Sequence, residues 1–510
     1  MKRQQTLVVG IDCSTTATKA TVWDRSGTLH AESRSPIKLY TPAPFQFEHD
    51  ARQWWQSCRE ALAEIAAEVD TGRIAGLSIT HQRESFVMLD ANDEPLRPAI
   101  LWLDERARKD VALLRDALGS DEIRRITGKD PDPTPALYAL HWLRRHEPGI
   151  YARAARVVDV HGYLNRRLTG RHATSWASAD PLGLLDMASR QWSQPLLDIL
   201  DLSTNQLPEL VAPGAPIGEL GHAAATATGL PAGLPVIAGG GDGQYAGLGV
   251  NVLDRRRAYL SLGTGAVSGI MADDYTPSMA YRTMTAPVPD GYILETCLRT
   301  CGHLVNWLRD TIGVGDPAGC TAEALEKAAA DTPIGADGLL LLPYWGGVMS
   351  PYWDESARGA LVGLSGDHGH GQMYRALLEG LAMEQWVATG ATLRASGRDI
   401  DEIAVLGGVA SSDLLCRILA DVMNKPVVRA ATAEPPCLGA AIAAAVGCGW
   451  FDDFETAANT MTRDDERIEP NPGHAARYDE LKPIYADLYP ALSGITRRLA
   501  AFRRASRDAD

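Results

Sequence analysis

PVIAGGGDGQYAGLGV, residues 235–250, carries an apolar run straight into three glycines, sets one carboxylate at Asp242 and resumes with small residues typical of a helix. Residues 235–238 predict a short buried strand, and the glycines after it allow close approaches that a side chain would block. We therefore expect Asp242 at the carboxyl end of a strand, where open α/β sheets bind their ligands. Asp242 is our candidate catalytic base.

Two further stretches repeat the pattern of a strand, a turn of small polar residues and a second strand. In residues 258–269, AYLSLGTGAVSG, the turn is Gly263-Thr264-Gly265, and residues 7–24, LVVGIDCSTTATKATVWD, carry a Gly/Asp/Ser/Thr turn. Glycine and threonine turns offer backbone amides that bind phosphate. The repetition predicts two related halves, with Asp242 placed between two turns that hold a polyphosphate while a hydroxyl attacks its terminal phosphorus.

The composition predicts an ordinary enzyme of two or more domains, since 510 residues with 45% hydrophobic content bury an ample core. The net charge of −15 argues against a non-specific binder of nucleic acid or acidic membranes, which needs clustered Lys and Arg. We see neither a signal peptide nor a membrane-spanning run, so we predict a cytoplasmic protein. The eight cysteines include no Cys-x-x-Cys and are predicted to be reduced structural thiols.

Polar residues follow the strand predicted at residues 74–80 and emerge at the same kind of strand end as Asp242. They are Gln82, Arg83 and Glu84. A hairpin predicted from residue 86 onward returns three more residues to this region, namely Trp102, Asp104 and Arg106. An aromatic face beside carboxylates and a guanidinium suits a polyol. The alternative is a solvated turn, because charged residues usually lie outside.

Other segments are predicted to be structural. Asp50 caps a helix whose apolar residues recur at helical spacing, from Trp54 to Val69. Residues 110–171 are interpreted as helical covering without chemistry, and the arginines at 255–257 as a solvated turn at the domain boundary.

In the second half, a long helix is predicted to pack between the domains through Ala376, Leu377, Gly380 and Leu381. A later strand runs into two glycines that leave room for a flat base, Gly407 and Gly408, and the next helix is signalled by Ser411, Ser412 and Asp413. The Ala-rich residues 437–449 imply close helix packing.

With these blocks in this order, the chain resembles the FGGY family of carbohydrate kinases almost end to end. The most specific piece is GALVGLSGDHGHGQMYRALLE, residues 359–379, which is similar to the family's second signature without a gap. The resemblance implies an α/β fold of two actin-like, hexokinase-like (ribonuclease H-like) ATPase domains that flank a catalytic cleft. We expect residues 1–250 to form the N-terminal domain, with the sugar site, the first phosphate loop and the catalytic Asp242, and residues 251–510 to form the C-terminal, nucleotide-binding domain.

The resemblance also implies roles for single residues. Asp242 takes the proton from the attacking hydroxyl, and Asp12 and Asp242 orient Mg²⁺ near the phosphates, in part through water. ATP is bound by two phosphate loops and the adenosine-binding glycines, that is by Asp12, Ser14, Thr15, Thr16, Lys19, Gly263, Thr264, Gly265, Gly407, Gly408 and Ser411. The sugar or polyol is bound by Gln82, Arg83, Glu84, Trp102, Asp104, Asp242 and Gln244.

The sequence indicates the identity of the acceptor less narrowly than it indicates the family. The segments LRPAILWLDER, AGGGD and SLGTG look like xylulokinases, so the best prediction is D-xylulose converted to D-xylulose 5-phosphate. Xylulokinases usually have Gln-Met-His where this chain has Gln82-Arg83-Glu84, which instead resembles glycerol kinases, so glycerol and other polyols or ketoses stay open. The expected partners are the acceptor and ATP, without nucleic acid or membrane, and a homodimer is left open.

Two other kinds of protein compete with this interpretation. A dinucleotide-binding oxidoreductase is suggested by Gly241-x-Gly243-x-x-Ala246 after a strand, but the acidic residue expected about 20 positions later is missing. A non-catalytic sugar or ATP sensor on the same fold is the other, and the presence of Asp242 argues against it.

Overall fold

The computed structural model describes residues 6–312 and 321–507, and each half of the chain is built on one main sheet. The six N-terminal strands, β1 to β6, span Leu7–Cys13, Ala17–Asp24, Leu29–Pro36, Ile74–His81, Pro216–Glu219 and Pro235–Gly241. Their order in the sheet is β3-β2-β1-β4-β6-β5. The neighbouring parallel strands β1, β4 and β6 are buried almost throughout, as expected for strands covered on both faces.

The C-terminal sheet repeats this plan. Its strands, β7 to β13, span Arg257–Leu262, Ala266–Ala272, Arg282–Thr285, Tyr292–Leu298, Glu402–Leu406, Val427–Ala430 and Asp464–Ile468. Their order is β9-β10-β8-β7-β11-β12-β13. In each sheet, three consecutive strands pair antiparallel, two further strands pair parallel next to them, and a last strand pairs antiparallel at the edge. The C-terminal sheet has one more strand, β9, at its other edge. The prediction of two related halves is confirmed.

Five helices position the site or join the halves. These are α1 (Arg52–Glu68), α2 (Asp242–Leu248), α3 (His370–Ser396), α4 (Asp413–Met423) and α5 (Pro435–Gly447). Further helices span Arg108–Leu118, Ser120–Thr127, Ala136–His146, Pro148–Tyr151, Val160–Thr169, Trp176–Ala179, Gln194–Leu200, His222–Thr228, Gly302–Ile312, Ala322–Ala330, Phe454–Met461 and Pro472–Arg507. Smaller sheets are formed by Glu48–His49, Phe86–Leu89, Ala99–Ile100, Arg156–Asp159, Ala173–Ser175, Leu185–Asp186, Gln191–Trp192, Glu209–Val211, Leu340–Leu342 and Ala360–Val362.

The predicted helix start at α4 is confirmed, whereas the N-cap of α1 is Ala51 and not Asp50. At α1, the side chain of Asp50 accepts the backbone N–H of Arg52 at 3.0 Å, and Trp54, Cys58, Leu62 and Ile65 are buried. At α4, the hydroxyl of Ser412 accepts the backbone N–H of Leu415 at 3.0 Å.

Helix α5 joins the two halves, because it packs on β1 and on α2 although it follows the C-terminal strands in the chain. A Cβ on Gly439 would lie 2.0 Å from the carbonyl oxygen of Tyr245, and a Cβ on Gly10 would lie 1.9 Å from the carbonyl oxygen of Cys437. Only glycine fits at such distances. The predicted close packing is therefore confirmed, and it ties the helix that begins with Asp242 to the C-terminal half.

Three structural predictions are wrong. Helix α3 does not pack between the domains, since Ala376, Leu377 and Leu381 lie in the core of the C-terminal half. Arg257 does not lie in a solvated turn, because it begins β7 and is buried against Glu402 at 3.3 Å. Residues 110–171 contain the strand Arg156–Asp159 as well as helices.

Some predictions are not decided by the fold. The division at residue 250 stays a prediction, although both sheets lie on their expected sides of it. The seven cysteines among the described residues are free thiols, and Cys320 lies outside those residues. Nowhere in the described part of the chain does a helix combine the length and apolarity needed to cross a membrane.

Candidate active site

The strand register brings three predicted site segments to one edge of the N-terminal sheet. Thr80 in β4 lies between Asp12 in β1 and Gly240 in β6, and His81 lies between Cys13 and Gly241. The residues that follow these positions, the turn after Asp12, Gln82 to Glu84 and Asp242, therefore leave the sheet together. This is the carboxyl edge of parallel strands, where such folds bind ligands.

Asp242 begins α2 and keeps an accessible side chain, which is 39% exposed. Its Oδ1 lies 3.2 Å from Nε of Arg83 and accepts the backbone N–H of Gly243 at 2.8 Å. Glycine is needed on both sides of it, because a Cβ on Gly241 would lie 2.5 Å from Cγ of Arg83, and one on Gly243 would lie 2.8 Å from Cζ. The glycines thus let the Arg83 side chain pass beneath the carboxylate.

Arg83 and Glu84 are buried and belong to an ion network that crosses between the halves. Nη1 of Arg83 lies 2.8 Å from Oε2 of Glu295 in β10. Nη1 of Arg282 in β9 lies 3.1 Å from Oε1 of Glu84, and its Nε lies 2.5 Å from Oε1 of Glu295. Gln244 accepts from Nη1 of Arg83 at 3.4 Å and donates to the carbonyl of Ala177 at 3.2 Å. The predicted residues Arg83, Glu84, Asp242 and Gln244 are therefore brought together.

Electrostatics distinguish the two glutamates of this network. Burial by itself would raise the pKa of Glu295, but the guanidiniums of Arg282 and Arg83 outweigh it and bring that pKa to about 2. Burial raises the pKa of Glu84 above its ordinary value, and Arg282 and Arg83 oppose the rise. Glu84 also has a positive φ of 60°, a conformation that residues other than glycine adopt at a cost. Its carboxylate is therefore held at this position by the surrounding network.

Gln82, Thr15 and Trp102 are linked by hydrogen bonds, which connect the first turn to two residues of the predicted acceptor site. The hydroxyl of Thr15 donates to Oε1 of Gln82 at 3.2 Å and accepts Nε1–H of Trp102 at 3.0 Å. Nε2 of Gln82 donates to the carbonyl of Ser14 at 3.3 Å. The indole of Trp102 is 37% exposed, so it offers an aromatic face to solvent beside the turn.

The carboxylate of Asp104 binds Arg106 and Phe47. Its Oδ1 accepts from the backbone N–H and Nε of Arg106, at 3.0 and 2.8 Å. Its Oδ2 accepts from the backbone N–H of Phe47 and from Nη2 of Arg106, both at 2.8 Å. Four donors fill the acceptor capacity of a carboxylate. Asp104 thus shapes the loop that carries Trp102, and the predicted contact with the acceptor gains no support from the structure.

Asp12 is a buried carboxylate with unused hydrogen-bonding capacity. It is 7% exposed, and its Oδ1 has no hydrogen-bond partner in the structure. Burial and then the nearby Asp242 carboxylate raise the pKa of Asp12 to about 8, against the lowering effect of Lys19. In the described part of the chain, no group of three or more His, Cys, Asp or Glu could hold a metal ion. Mg²⁺ is usually held by one or two carboxylates and the substrate's phosphates, so Asp12 fits this ion.

Lys19 does not point freely at the first turn. Its Nζ lies 2.5 and 2.6 Å from the two carboxylate oxygens of Glu434, just before α5. Ser14 closes the turn by donating to the carbonyl of Ala17 at 2.8 Å, and Thr16 is exposed. Strand β2, which follows the first turn, is thereby fastened to the C-terminal half.

The second turn and the glycines after β11 border a cleft of about 1100 Å³. Four of the predicted nucleotide residues line it, namely Gly263, Thr264, Gly408 and Ser411. Gly408 faces open space, since a Cβ added there would have no atom within 4 Å, whereas Gly407 has φ +92° and its Cβ would lie 2.6 Å from the carbonyl oxygen of Leu262. Gly265 closes the turn by accepting the backbone N–H of Gly263 at 2.9 Å. The cleft also has cationic side chains that the sequence reasoning missed, Arg309 and Arg417.

Three charged residues nearer the site were also missed: Arg282, Glu295 and Glu434. Glu295 had a usable signal, because it is the only charge inside the apolar run YILETCL of residues 292–298. Arg282 and Glu434 had a similar signal, because each is the only charge in its stretch, residues 275–289 and residues 430–451.

Comparison with known proteins decides the family. Residues 7–249 match the N-terminal domain of the FGGY family of carbohydrate kinases, and residues 258–448 match its C-terminal domain. The chain belongs to this family. As an FGGY carbohydrate kinase it is an ATP-dependent sugar kinase with the two-domain FGGY fold, which confirms the predicted family and fold and excludes the oxidoreductase.

FGGY kinases similar to this chain are named for different acceptors. The xylulose kinase of Lactococcus lactis subsp. lactis (strain IL1403) is 30% identical over 503 residues, 98% of this chain and 99% of that protein. The glycerol kinase of Dechloromonas aromatica (strain RCB) is 31% identical over 506 residues, 96% of this chain and 97% of that protein. The crystal structure of gluconate kinase from Lactobacillus acidophilus has a TM-score of 0.90 and 28% identity, and covers 95% of this chain and 98% of its own.

Proposed function

We propose that this FGGY kinase transfers the terminal phosphoryl group of ATP to a hydroxyl of a small ketose or polyol, with D-xylulose as acceptor and D-xylulose 5-phosphate as product. The observation that carries the proposal is an accessible carboxylate, Asp242, at the strand edge that also carries Asp12. The acceptor is supported by full-length similarity to a xylulose kinase and by the xylulokinase-like segments LRPAILWLDER, AGGGD and SLGTG.

In the proposed reaction the acceptor oxygen attacks the γ-phosphorus, and the bond from that phosphorus to the bridging oxygen of ADP breaks. The hydroxyl proton passes to Asp242. Arg83 and the N–H of Gly243 both contact Oδ1, which fixes the orientation of this carboxylate. Since phosphoryl transfer has a loose transition state, the remaining task of the protein is alignment. Arg83 and Glu84 would supply it on the acceptor side by holding neighbouring hydroxyls.

ATP would bind with its phosphates between the turn after Asp12 and the turn Gly263-Thr264-Gly265, and with its base in the cleft at Gly408. Mg²⁺, when bound, supplies positive charge that neutralises the phosphates. Asp12 is the residue that would hold it, because its Oδ1 is buried and without a partner. Asp242 would contribute through water.

The test of the proposal is Asp242→Asn. Because the side chain is accessible and sits at a helix start that Asn also suits, the variant should fold and bind ATP. Loss of the general base should lower kcat about 10²- to 10⁴-fold. The matched control is Asp453→Asn, a carboxylate that caps the helix Phe454–Met461 and should leave kcat unchanged. Full turnover by Asp242→Asn with ATP bound would refute the role.

A second acceptor is favoured by the Gln82-Arg83-Glu84 segment and by similarity to a glycerol kinase. Coupling ADP release to a spectroscopic readout, with D-xylulose, glycerol and a set of pentitols as acceptors, separates the two. Preference for glycerol would replace D-xylulose. If no acceptor were turned over while ATP bound, the non-catalytic sensor would be the better interpretation.

A further inference from the structure

Five charged side chains near the acceptor side form one alternating chain. In order they are Asp242, Arg83, Glu295, Arg282 and Glu84, and each neighbour is within 3.2 Å of the next. Three come from the N-terminal half. Arg282 and Glu295 come from the C-terminal half, where they stand opposite each other on β9 and β10.

Glu295 is the centre of this chain. It is completely buried and accepts from Nη1 of Arg83, from Nε of Arg282 and from the hydroxyl of Tyr259, the last at 3.1 Å. The side chain of Glu295 is 0% exposed, whereas those of Arg83 and Glu84 keep 7% and 4%, so Glu295 acts through the arginines. Because a buried charge is costly unless it is paired, Glu295 is what allows two guanidiniums to stand together here.

The arrangement leaves neither arginine with free positive charge. Arg83 lies between Asp242 and Glu295, and Arg282 lies between Glu295 and Glu84. The chain holds three carboxylates against two guanidiniums. Lys129, which interacts electrostatically with Arg282 and Glu84, is itself held by Asp180. A ligand carboxylate placed here would meet carboxylates already bound to each arginine, and like charges at close range repel each other strongly.

A neutral polyol is not repelled by these carboxylates. Its hydroxyls both donate and accept, so they can bind the N–H groups of Arg83 and the oxygens of Glu84 at once, whereas a carboxylate can only accept. We propose that Glu295 and Arg282 are positioning residues that give the acceptor site its charge, so that this enzyme takes an uncharged polyol or ketose and rejects a sugar acid such as D-gluconate. The inference rests on the proposed kinase function.

The experiment measures kcat/KM with D-xylulose, glycerol, a pentitol and D-gluconate, for the wild type and for Glu295→Gln. The wild type should prefer its best neutral acceptor to D-gluconate by at least about 100-fold. Glu295→Gln keeps the shape and removes one negative charge, which frees positive charge on Arg83 and Arg282. Activity with the neutral acceptor should fall about 10-fold or more, the ratio of D-gluconate to neutral activity should rise at least about 10-fold, and the KM for ATP should stay unchanged.

The matched control is Glu384→Gln, another fully buried glutamate of the C-terminal half, which is held by the hydroxyls of Tyr344 and Tyr485. In this variant, the ratio of D-gluconate to neutral activity should be the same as in the wild type. A second variant, Glu295→Asp, keeps the charge, so it should still reject D-gluconate even where turnover drops. If Glu295→Gln fails to fold, efficient use of D-gluconate by Glu295→Asp would still overturn the inference.

The outcomes separate the two proposals. If the wild type preferred D-gluconate, or if Glu295→Gln lowered activity with every acceptor equally, charge selection would be overturned and the kinase function would stand. Rejection of D-gluconate by the wild type and Glu295→Asp, together with a changed ratio in Glu295→Gln, supports the inference. If no acceptor of either kind were turned over, the kinase function itself would fail.

Discussion

Glu384 in α3 is the basis of a prediction about stability and pH. It is 3% exposed, and its Oε2 accepts from the hydroxyls of Tyr344 at 2.8 Å and Tyr485 at 3.4 Å. No cation is among the groups that shift its pKa. Burial raises that pKa from an ordinary value of 4.5 to about 7, and the two tyrosines oppose the rise. The native protein therefore binds this proton more tightly than the unfolded chain does.

The raised pKa of Glu384 determines whether stability rises or falls with pH. A group whose folded pKa is raised adds stability that is complete below the unfolded pKa and is lost as pH rises through the folded pKa. For Glu384 the loss runs from about pH 4.5 to above pH 7. At 1.36 kcal/mol for each pKa unit, the full loss is about 3 kcal/mol, most of it between pH 5 and pH 8.

Glu384→Gln removes the titration and keeps an oxygen for the tyrosines. We compare the free energy of unfolding of the variant with that of the wild type at each pH. The difference, variant minus wild type, should be about 2–3 kcal/mol larger at pH 8 than at pH 5. In a C-terminal half of this size, that corresponds to a relative rise of about 5–10 °C in the Tm. Differential scanning calorimetry at both pH values measures it.

A control of opposite sign is Asp354→Asn. The carboxylate of Asp354 accepts from Ser356, Tyr489 and Arg497, and these bonds outweigh burial and lower its pKa to about 2. Its stabilising effect is present above its ordinary pKa of 3.8, so this variant should have a lower Tm than the wild type by about the same amount at pH 5 and at pH 8. If the Tm of Glu384→Gln differed from that of the wild type equally at pH 5 and pH 8, Glu384 would not titrate in this range.

Two further predictions concern the contacts between the halves. Glu434→Gln should release Lys19 from its pair with Glu434 toward the phosphates of ATP, so the KM for ATP should fall about 2- to 5-fold, and an unchanged or higher KM would contradict this. Gly439→Val would place atoms against the carbonyl oxygen of Tyr245, so the Tm and kcat should both fall, at a cost of about 1–3 kcal/mol or more. Gly494→Ala, at a site with open space, is its control, and an unaltered Tm for Gly439→Val would contradict the packing argument.

The strands and turns could be predicted because their signals are local. Apolar runs that end in glycines, as before Asp242 and around Thr264, specify a strand and the turn after it through a few neighbouring residues. Parallel pairing then brings Asp12, Gln82 and Asp242 to one edge without further information. The positions of the Asp242 carboxylate and of the two turns that we propose to bind phosphate could therefore be predicted from the sequence.

Helix packing was harder to predict because small residues do not specify their partner. The Ala376, Leu377, Gly380 and Leu381 face of α3 and the Ala-rich face of α5 both predict close contact, and neither pattern says with which half. The structure places α3 inside the C-terminal core and α5 against β1. The difference lies in which backbone each glycine meets, Leu341 for Gly380 and Tyr245 for Gly439, and that depends on the assembled fold.

The acceptor side shows why a recognisable motif does not by itself define specificity. The segment Gln82-Arg83-Glu84 combines neutral and charged polar groups, and from these we predicted that it binds hydroxyls. Under our proposal, what the segment binds depends on how much of the Arg83 charge is free, and this is set by Glu295, which lies 212 positions later in the chain. A guanidinium between two carboxylates is a donor for a hydroxyl, whereas a guanidinium with one carboxylate removed is a site for an anion. The same three residues could therefore serve a polyol in one FGGY kinase and a sugar acid in another, according to the charge that the C-terminal half contributes.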